Sequence, residues 1–404
     1  MKHVGNRRSI NNNAMSINST ISPSRNLGTS SRPLSWPTHF EIFNNWRVLA
    51  LLVLLLLVAL PSLVLYRAAH RSSVFLFPLP ISSSLQIGQS ARVYDDDEFK
   101  LVRVLNEAAM VDGKTVILTT LNGAWAAPGS IIDLFLESFR IGEGTKKLLK
   151  HLVIIALDQN AYARCLALHT HCFALTTDGV DFSQEAYFMT ASYLKMMWRR
   201  IEFLKSILEM GYNFVFTDAD IMWLRDPFHR FFSDTDFQIA CDYFIASPYN
   251  LQNKPNGGFY YAKSNNRTIA FYSFWYSSRE TYPGYHDQDV LNIIKYDPLI
   301  LNIGLKLKFL PTFFFGGFCE PSKMFQVVCT MHANCCFGLE SKLHDLKITL
   351  EDWRNYMSLP LYLRNTYQSG WRVPQNCSLE ALHHHPISAD NVELGPTAEQ
   401  DQDA

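Results

Sequence analysis

Three short apolar runs mark the middle of the chain, and each ends in polar residues. "KTVILTTLN", "HLVIIALD" and "YNFVFTD" are continuous rather than alternating, as in strands buried on both faces. Between them, "SIIDLFLESFRIG" and "QEAYFMTASYLKMMWRRIEFLKSILEMG" repeat their apolar residues at helical spacing, the second stopped by Gly211. Strands alternating with helices predict an α/β domain with a mainly parallel sheet covered on both faces. Such sheets bind ligands beyond the carboxyl ends of their strands. Those ends carry Thr119, Thr120 and Asn122, then Asp158, then Asp218 and Asp220. The second half is less regular. "FQIACDY" and "GGFYYAKS" read as strands, "TIAFYSFWYSS", "DQDVLNIIKY" and "SKLHDLKITLEDWRNYM" as helices.

Upstream the pattern changes. Val48 to Tyr66 holds no charged residue and at 19 residues is long enough to cross a bilayer as a helix. Lys2, Arg7, Arg8, Arg25, Arg32 and Arg47 precede it against one acid, Glu41. That bias predicts a cytoplasmic N-terminus and a lumenal or extracellular remainder. A cleaved signal peptide would have a shorter core nearer the start. The expected organisation is a disordered cytoplasmic tail (1–47), a transmembrane signal anchor (48–66), a stem (67–100), a folded domain (101–375) and a polar C-terminal tail (376–404).

Composition adds two constraints. The 404 residues are 48% hydrophobic and 18% charged with net charge −1. That balance suits a globular protein and lacks the basic excess of a nucleic-acid binder. All eight cysteines follow the apolar span, as do the sequons Asn266-Arg267-Thr268 and Asn376-Cys377-Ser378. Disulfides in an oxidising compartment are expected, with their pairing unreadable. A third sequon, Asn18-Ser19-Thr20, lies on the side expected to be cytoplasmic.

Asp-x-Asp occurs five times, at 95/97, 218/220, 234/236, 287/289 and 401/403, so the motif alone decides nothing. The first and last pairs fit solvated charge, and 234/236 fits a cap or loop. Asp218 and Asp220 differ because they end a buried strand, where charge must be compensated. A hard divalent ion, Mg²⁺ or Mn²⁺, would compensate both. Alternatively Asp218 caps the following turn and Asp220 pairs with Arg225.

Four blocks, "GYNFVFTDADIMWLRDPF", "NGGFYYAKSNN", "HDQDVLN" and "HANCCFGLESKLHDL", together resemble the plant nucleotide-diphospho-sugar transferases, glycosyltransferase family 77. Rhamnogalacturonan-II xylosyltransferases and extensin arabinosyltransferases are members. The resemblance covers about Leu101 to Gln375. It implies a GT-A fold on a type II Golgi membrane anchor, a UDP-sugar donor, a divalent ion (usually Mn²⁺) and retention of anomeric configuration. The acceptor would be a cell-wall glycan or a glycoprotein, and assembly with itself or with other Golgi transferases stays open. Asp218 and Asp220 would be the metal motif, and His332 would complete the metal shell. Lys342, with Asn334 and Gly338, would lie by the diphosphate. Asn256, Gly257 and Gly258 would form a tight turn leading to the strand beneath the sugar. Asp287, Gln288 and Asp289 would contact donor sugar or acceptor and supply any stabilising carboxylate. Thr119, Thr120, Asn122 and Asp158 would contact uridine. Lys195 and Arg199, four apart on one helix face, would approach the phosphates or else be a surface pair.

Three other readings compete. Haloacid-dehalogenase-like phosphohydrolases use a strand-ending Asp-x-Asp with a nucleophilic first Asp. That motif, however, ends the first strand of its domain, and here a long strand–helix stretch precedes it. A catalytically silent GT-A scaffold in a transferase complex is the second. The third is zinc on Cys329, His332, Cys335 and Cys336, disfavoured by the adjacent cysteines.

Overall fold

The computed structural model describes residues 96–177 and 179–377. The expected tail, the apolar span Val48–Tyr66 and most of the stem lie outside the described residues. Among the described residues no helix is long and apolar enough to cross a membrane.

Helix α1 (Asp96–Ala108) opens the domain. Leu101, Leu105 and Ala108 fall at helical spacing and are buried against the sheet, so folded structure begins within the segment expected to be stem. The first half then runs β1 (Thr115–Leu121), α2 (Gly123–Ala126), α3 (Ile131–Ile141), β2 (Leu152–Ala156), α4 (Gln159–Leu168), β3 (Cys172–Ala174), α5 (Ala191–Glu209) and β4 (Asn213–Thr217). The second half runs β5 (Ile221–Trp223), β6 (Phe237–Tyr243), β7 (Lys254–Ala262), α6 (Asn266–Ser277), α7 (Asp287–Ile294), α8 (Pro298–Asn302), β8 (Leu307–Phe309), β9 (Phe315–Gly317), β10 (Thr330–His332), α9 (Leu339–Ser358) and α10 (Leu361–Asn365).

The main sheet has the order β3-β2-β1-β4-β7-β6-β8. The β3-β2-β1-β4 half is parallel, as the apolar runs predict. β7 then runs antiparallel to both β4 and β6, and β8 is parallel to β6. Alternate residues of β4 feed opposite cores. Val215 packs with α3 and α9, while Phe214 and Phe216 pack with α5, α6 and α7. Each such buried side chain contributes about 1.5–3 kcal/mol, which fixes the register of the strand whose end carries the acids.

Helix α5 starts later than its periodicity predicts. Thr190 accepts a hydrogen bond from Tyr193 N as N-cap, and Gln184 to Met189 form a loop instead of a first turn and a half. The helix closes at Glu209, and Gly211 follows at φ 86°, the left-handed geometry that suits glycine after a helix.

A second sheet, β5-β10-β9, stands beside the first. β10 pairs antiparallel with β5, with His332 opposite Ile221. Leu343, Leu346, Leu350 and Trp353 of α9 bury one face of that helix in the core that holds β5 and β10. Disulfides join Cys165–Cys172, Cys319–Cys335 and Cys336–Cys377, and Cys241 and Cys329 are free and buried. The last of these bridges draws Cys377, the second residue of the segment expected to be tail, into the folded domain.

Candidate active site

Asp218 and Asp220 leave the end of β4 and enter β5 within three residues. The Asp218 N–H donates to Gly258 O at 2.7 Å, and Ala333 N donates to Asp220 O at 3.1 Å. The turn is thereby pinned to β7 on one side and to the residue after β10 on the other. Because His332 stands opposite Ile221, its Nε2 lies 3.2 Å from Asp220 Oδ1. Ligand atoms of Asp218, Asp220 and His332 all lie within 4.8 Å of one another. Strand pairing in the small sheet is what closes the gap of over a hundred residues between the acids and the histidine.

Gly258 makes room for this cluster. A Cβ built on it would lie 2.6 Å from His332 Cε1 and 2.8 Å from Asp218 Oδ2, closer than packed atoms come. The expected tight turn at Asn256-Gly257-Gly258 is instead part of β7. The glycines serve close approach, which is the other meaning of glycine in a strand. Two carboxylates and an imidazole around a backbone free of side chain suit a hard divalent cation. Lys342, in the first turns of α9, places Nζ 2.5 Å from Asp220 Oδ2 and 3.0 Å from Ala333 O. The alternative pairing of Asp220 with Arg225 does not occur: Arg225 binds Glu143. Burial pushes the Asp220 carboxyl upward, but Lys342 and His332 outweigh it and hold it well below the usual carboxylate range. Burial raises Asp218 against the pull of Arg200.

Arg200 is the largest omission from the sequence reading. It is buried at 4% exposure, with Nη1 3.0 Å from Asp218 Oδ1 and Nη2 2.5 Å from Asp287 Oδ2. Burial works against its charge, and Asp287 and Asp218 more than restore it. Asp287 is likewise held low, burial being outweighed by Arg200 and His286. The expected phosphate-side pair on the same helix is elsewhere. Lys195 is exposed, and Arg199 pairs with Glu202. A signal was present, since Arg200 falls within the apolar stripe Met197, Ile201, Leu204 and Leu208. A cation in such a stripe requires a buried anion.

These groups line one cavity of about 420 Å³, a size usual for small-molecule sites. Thr120, Asn122, Asn256, Gly257, Gly258, Asp287, Gln288, Asn334, Gly338 and Lys342 all reach it. Besides Lys195 and Arg199, three expected residues do not. Thr119 points to the opposite face of β1 and is fully buried, because neighbours in a strand alternate. Asp158 caps α4, accepting from Ala161 N, and also accepts from Gly123 N at 2.6 Å. Asp289 lies outside the cavity lining, 43% exposed, with Oδ2 3.2 Å from His286 Nε2. Gln288 is bonded at both ends of its amide. Oε1 accepts from Gly257 N, and Nε2 donates to Asp242. Asp242, also absent from the sequence reading, accepts from Asn256 and Asn334 as well. The zinc reading fails here, because Cys335 and Cys336 are both consumed in disulfides.

Residues 147–346 match the family model described as nucleotide-diphospho-sugar transferase. An uncharacterized Arabidopsis thaliana protein is 51% identical over 285 residues, spanning 70% of this chain and 75% of that protein. The chain belongs to the nucleotide-diphospho-sugar transferase family. A second uncharacterized Arabidopsis thaliana protein is 41% identical over 290 residues, 70% of this chain and 84% of that one. The Arabidopsis thaliana UDP-D-xylose:L-fucose alpha-1,3-D-xylosyltransferase 3 is 27% identical over 221 residues, 55% of this chain and 54% of that enzyme. The transferase is thus a glycosyltransferase with a GT-A-like mixed sheet, and the phosphohydrolase reading falls with the family. The strand order agrees, for Asp218 ends the fourth strand and is bound by a guanidinium.

Proposed function

We propose that this transferase moves a sugar from a UDP-sugar to a cell-wall glycan or glycoprotein, with a divalent ion and with retention of anomeric configuration. The observation that carries the proposal is the convergence of Asp218, Asp220 and His332 beside Lys342 in the cavity. Mn²⁺ or Mg²⁺ held by the three would offset the charge of the diphosphate as it leaves. The Lys342 ammonium adds a second positive group at the same place. Arg200 binds both carboxylates and fixes where each points, and it helps to hold Asp287 ionised against burial. Asp287 then faces the sugar as a stabilising carboxylate, and the bare backbone of Gly257 and Gly258 lets the sugar lie close to β7. Thr120, at the tip of β1, is left for the nucleoside, with Asn122 beside it, its amide accepting from Trp125 N and donating to Gln184 O. The relative's name, a UDP-D-xylose enzyme, makes UDP-xylose the first donor to test. The apolar span and its basic flank support a type II Golgi anchor with the transferase domain in the lumen.

The purified chain from residue 67 onward is assayed for UDP release from UDP-xylose, UDP-arabinofuranose, UDP-galactose and UDP-glucose, with Mn²⁺ or with EDTA. Metal-dependent UDP release that Asp220→Ala abolishes is the expected result, with the anomeric configuration of the product read by NMR. Binding of UDP without turnover of any donor would favour the silent scaffold instead.

A further inference from the structure

The sequon Asn266-Arg267-Thr268 takes no part in the site described above. We propose that Asn266 carries an N-linked oligosaccharide, attached before α6 folds. This inference rests on the lumenal topology proposed above.

β7 enters the cavity at Asn256, Gly257 and Gly258 and ends at Ala262. At about 3.3 Å per residue, the four residues that follow Gly258, up to Ala262, carry the chain roughly 13 Å from the site. Asn265 then caps α6, accepting from Arg267 N and Thr268 N, and Asn266 is the first helical residue. Asn266 is exposed, and its side-chain amide has no hydrogen-bond partner among the described residues. The next residue, Arg267, binds Asp236 and lies near Gly304, a Cβ on which would be 3.7 Å from Arg267 Cδ. None of these lines the cavity. A bulky hydrophilic group at this pole leaves donor access untouched.

Thr268 sets the time of attachment. The enzyme that modifies a sequon must read the hydroxyl two residues beyond the asparagine. In the folded chain Thr268 is fully buried. Its hydroxyl accepts from Asn265 N at 3.1 Å and contacts Lys263 O. Folding therefore removes the recognition element while leaving the acceptor nitrogen exposed, and transfer must precede the capping box. In that transfer the Asn266 Nδ2 bonds to the anomeric carbon of an oligosaccharide carried on a polyisoprenyl diphosphate. The sugar–phosphate C–O bond breaks, the lipid diphosphate leaves with the electron pair, and the amide nitrogen gives up one proton.

The test expresses the full chain in eukaryotic cells and isolates intact microsomes. Wild type, Asn266→Gln and Thr268→Ser are compared in an Asn376→Gln background, with and without endoglycosidase, and with protease outside the vesicles. Wild type and Thr268→Ser should lose one step of mass on deglycosylation, and Asn266→Gln should lack that step. The step should be present at the shortest pulse label. kcat/KM of Asn266→Gln should stay within about twofold, as surface substitutions usually do. A protease-protected domain in which wild type and Asn266→Gln migrate alike overturns the inference and leaves the topology standing. A domain digested without detergent overturns the topology and the inference together. A step that appears only during the chase overturns the timing.

Discussion

Arg200 and Asp287 form a buried ion pair in the cavity wall, Nη2 to Oδ2 2.5 Å, with the two side chains 4% and 1% exposed. The other arm of the same guanidinium holds Asp218, so one cation joins the proposed metal motif to the proposed sugar-facing acid. Arg200→Ala would strand Asp287 as a buried charge, and breaking such a pair costs about 3–5 kcal/mol. Arg200→Lys keeps a charge but cannot bridge two carboxylates as a planar fork does. It should recover much of the stability and little of the transfer rate. Adding Asp287→Asn to Arg200→Ala should cost less than the sum of the two, with a coupling of about 0.5–3 kcal/mol in urea unfolding. Strict additivity would deny the pair.

How far the sequence could be read depended on whether a local pattern sufficed. The run "NFVFT" and the acids after it were legible because a continuous apolar stretch has one good structural use, a strand buried on both faces. The role of His332 rested on resemblance alone, since no local pattern says that it lies opposite Ile221. Two adjacent glycines, as at Gly257 and Gly258, suit a turn as well as a strand. Only the neighbours His332 and Asp218 show that they make space. On α5, three basic residues fall within six positions, and the phase is set by Met197, Ile201 and Leu204 facing the core.

The triad makes a prediction about metal. His332→Ala and Asp220→Asn should each weaken Mn²⁺ binding, measured by titration calorimetry with UDP present, by at least the 10–100-fold typical of groups that support a metal site. Lys342→Ala should act differently, leaving Mn²⁺ affinity nearly intact and raising KM for the donor. If His332→Ala leaves the metal dependence of UDP release unchanged, the histidine is not a ligand.

The two disulfides of the "HANCC" segment make a third prediction. Cys335 and Cys336 both line the cavity, and their bridges run to Cys319 and to Cys377. The segment also carries His332 and Asn334 and leads into α9 with Lys342. Cys336–Cys377 spans 41 residues and Cys165–Cys172 spans 7. On the chain-entropy account, the longer loop stabilises by about 4 kcal/mol against roughly 2. Cys336→Ser/Cys377→Ser should therefore lower the unfolding midpoint more than Cys165→Ser/Cys172→Ser, and should also raise donor KM. Equal loss of donor binding in both double variants would mean that the bridges stabilise the fold without shaping the site.

The last prediction concerns acid stability and a carboxylate far from the site. Asp236 is buried. It accepts from Arg267 Nε at 2.8 Å and Nη2 at 2.7 Å, and from Lys306 N at 3.0 Å. Burial raises its pKa, but Arg267, the Lys306 amide and Asn265 together bring it below the ordinary value. A carboxyl that ionises more readily folded than unfolded stabilises the fold above its unfolded pKa of about 3.9. That stability is lost as pH falls through the lower folded value, because the unfolded chain then binds the proton first. Asp236→Asn should cost about 1.5–3 kcal/mol at pH 7, the worth of hydrogen bonds to a charged group. The gap between variant and wild type should narrow as pH drops from about 5 to about 2. Urea unfolding across that range decides it: a gap of constant size down to the acid limit would show that the Asp236 charge contributes nothing to holding the start of α6.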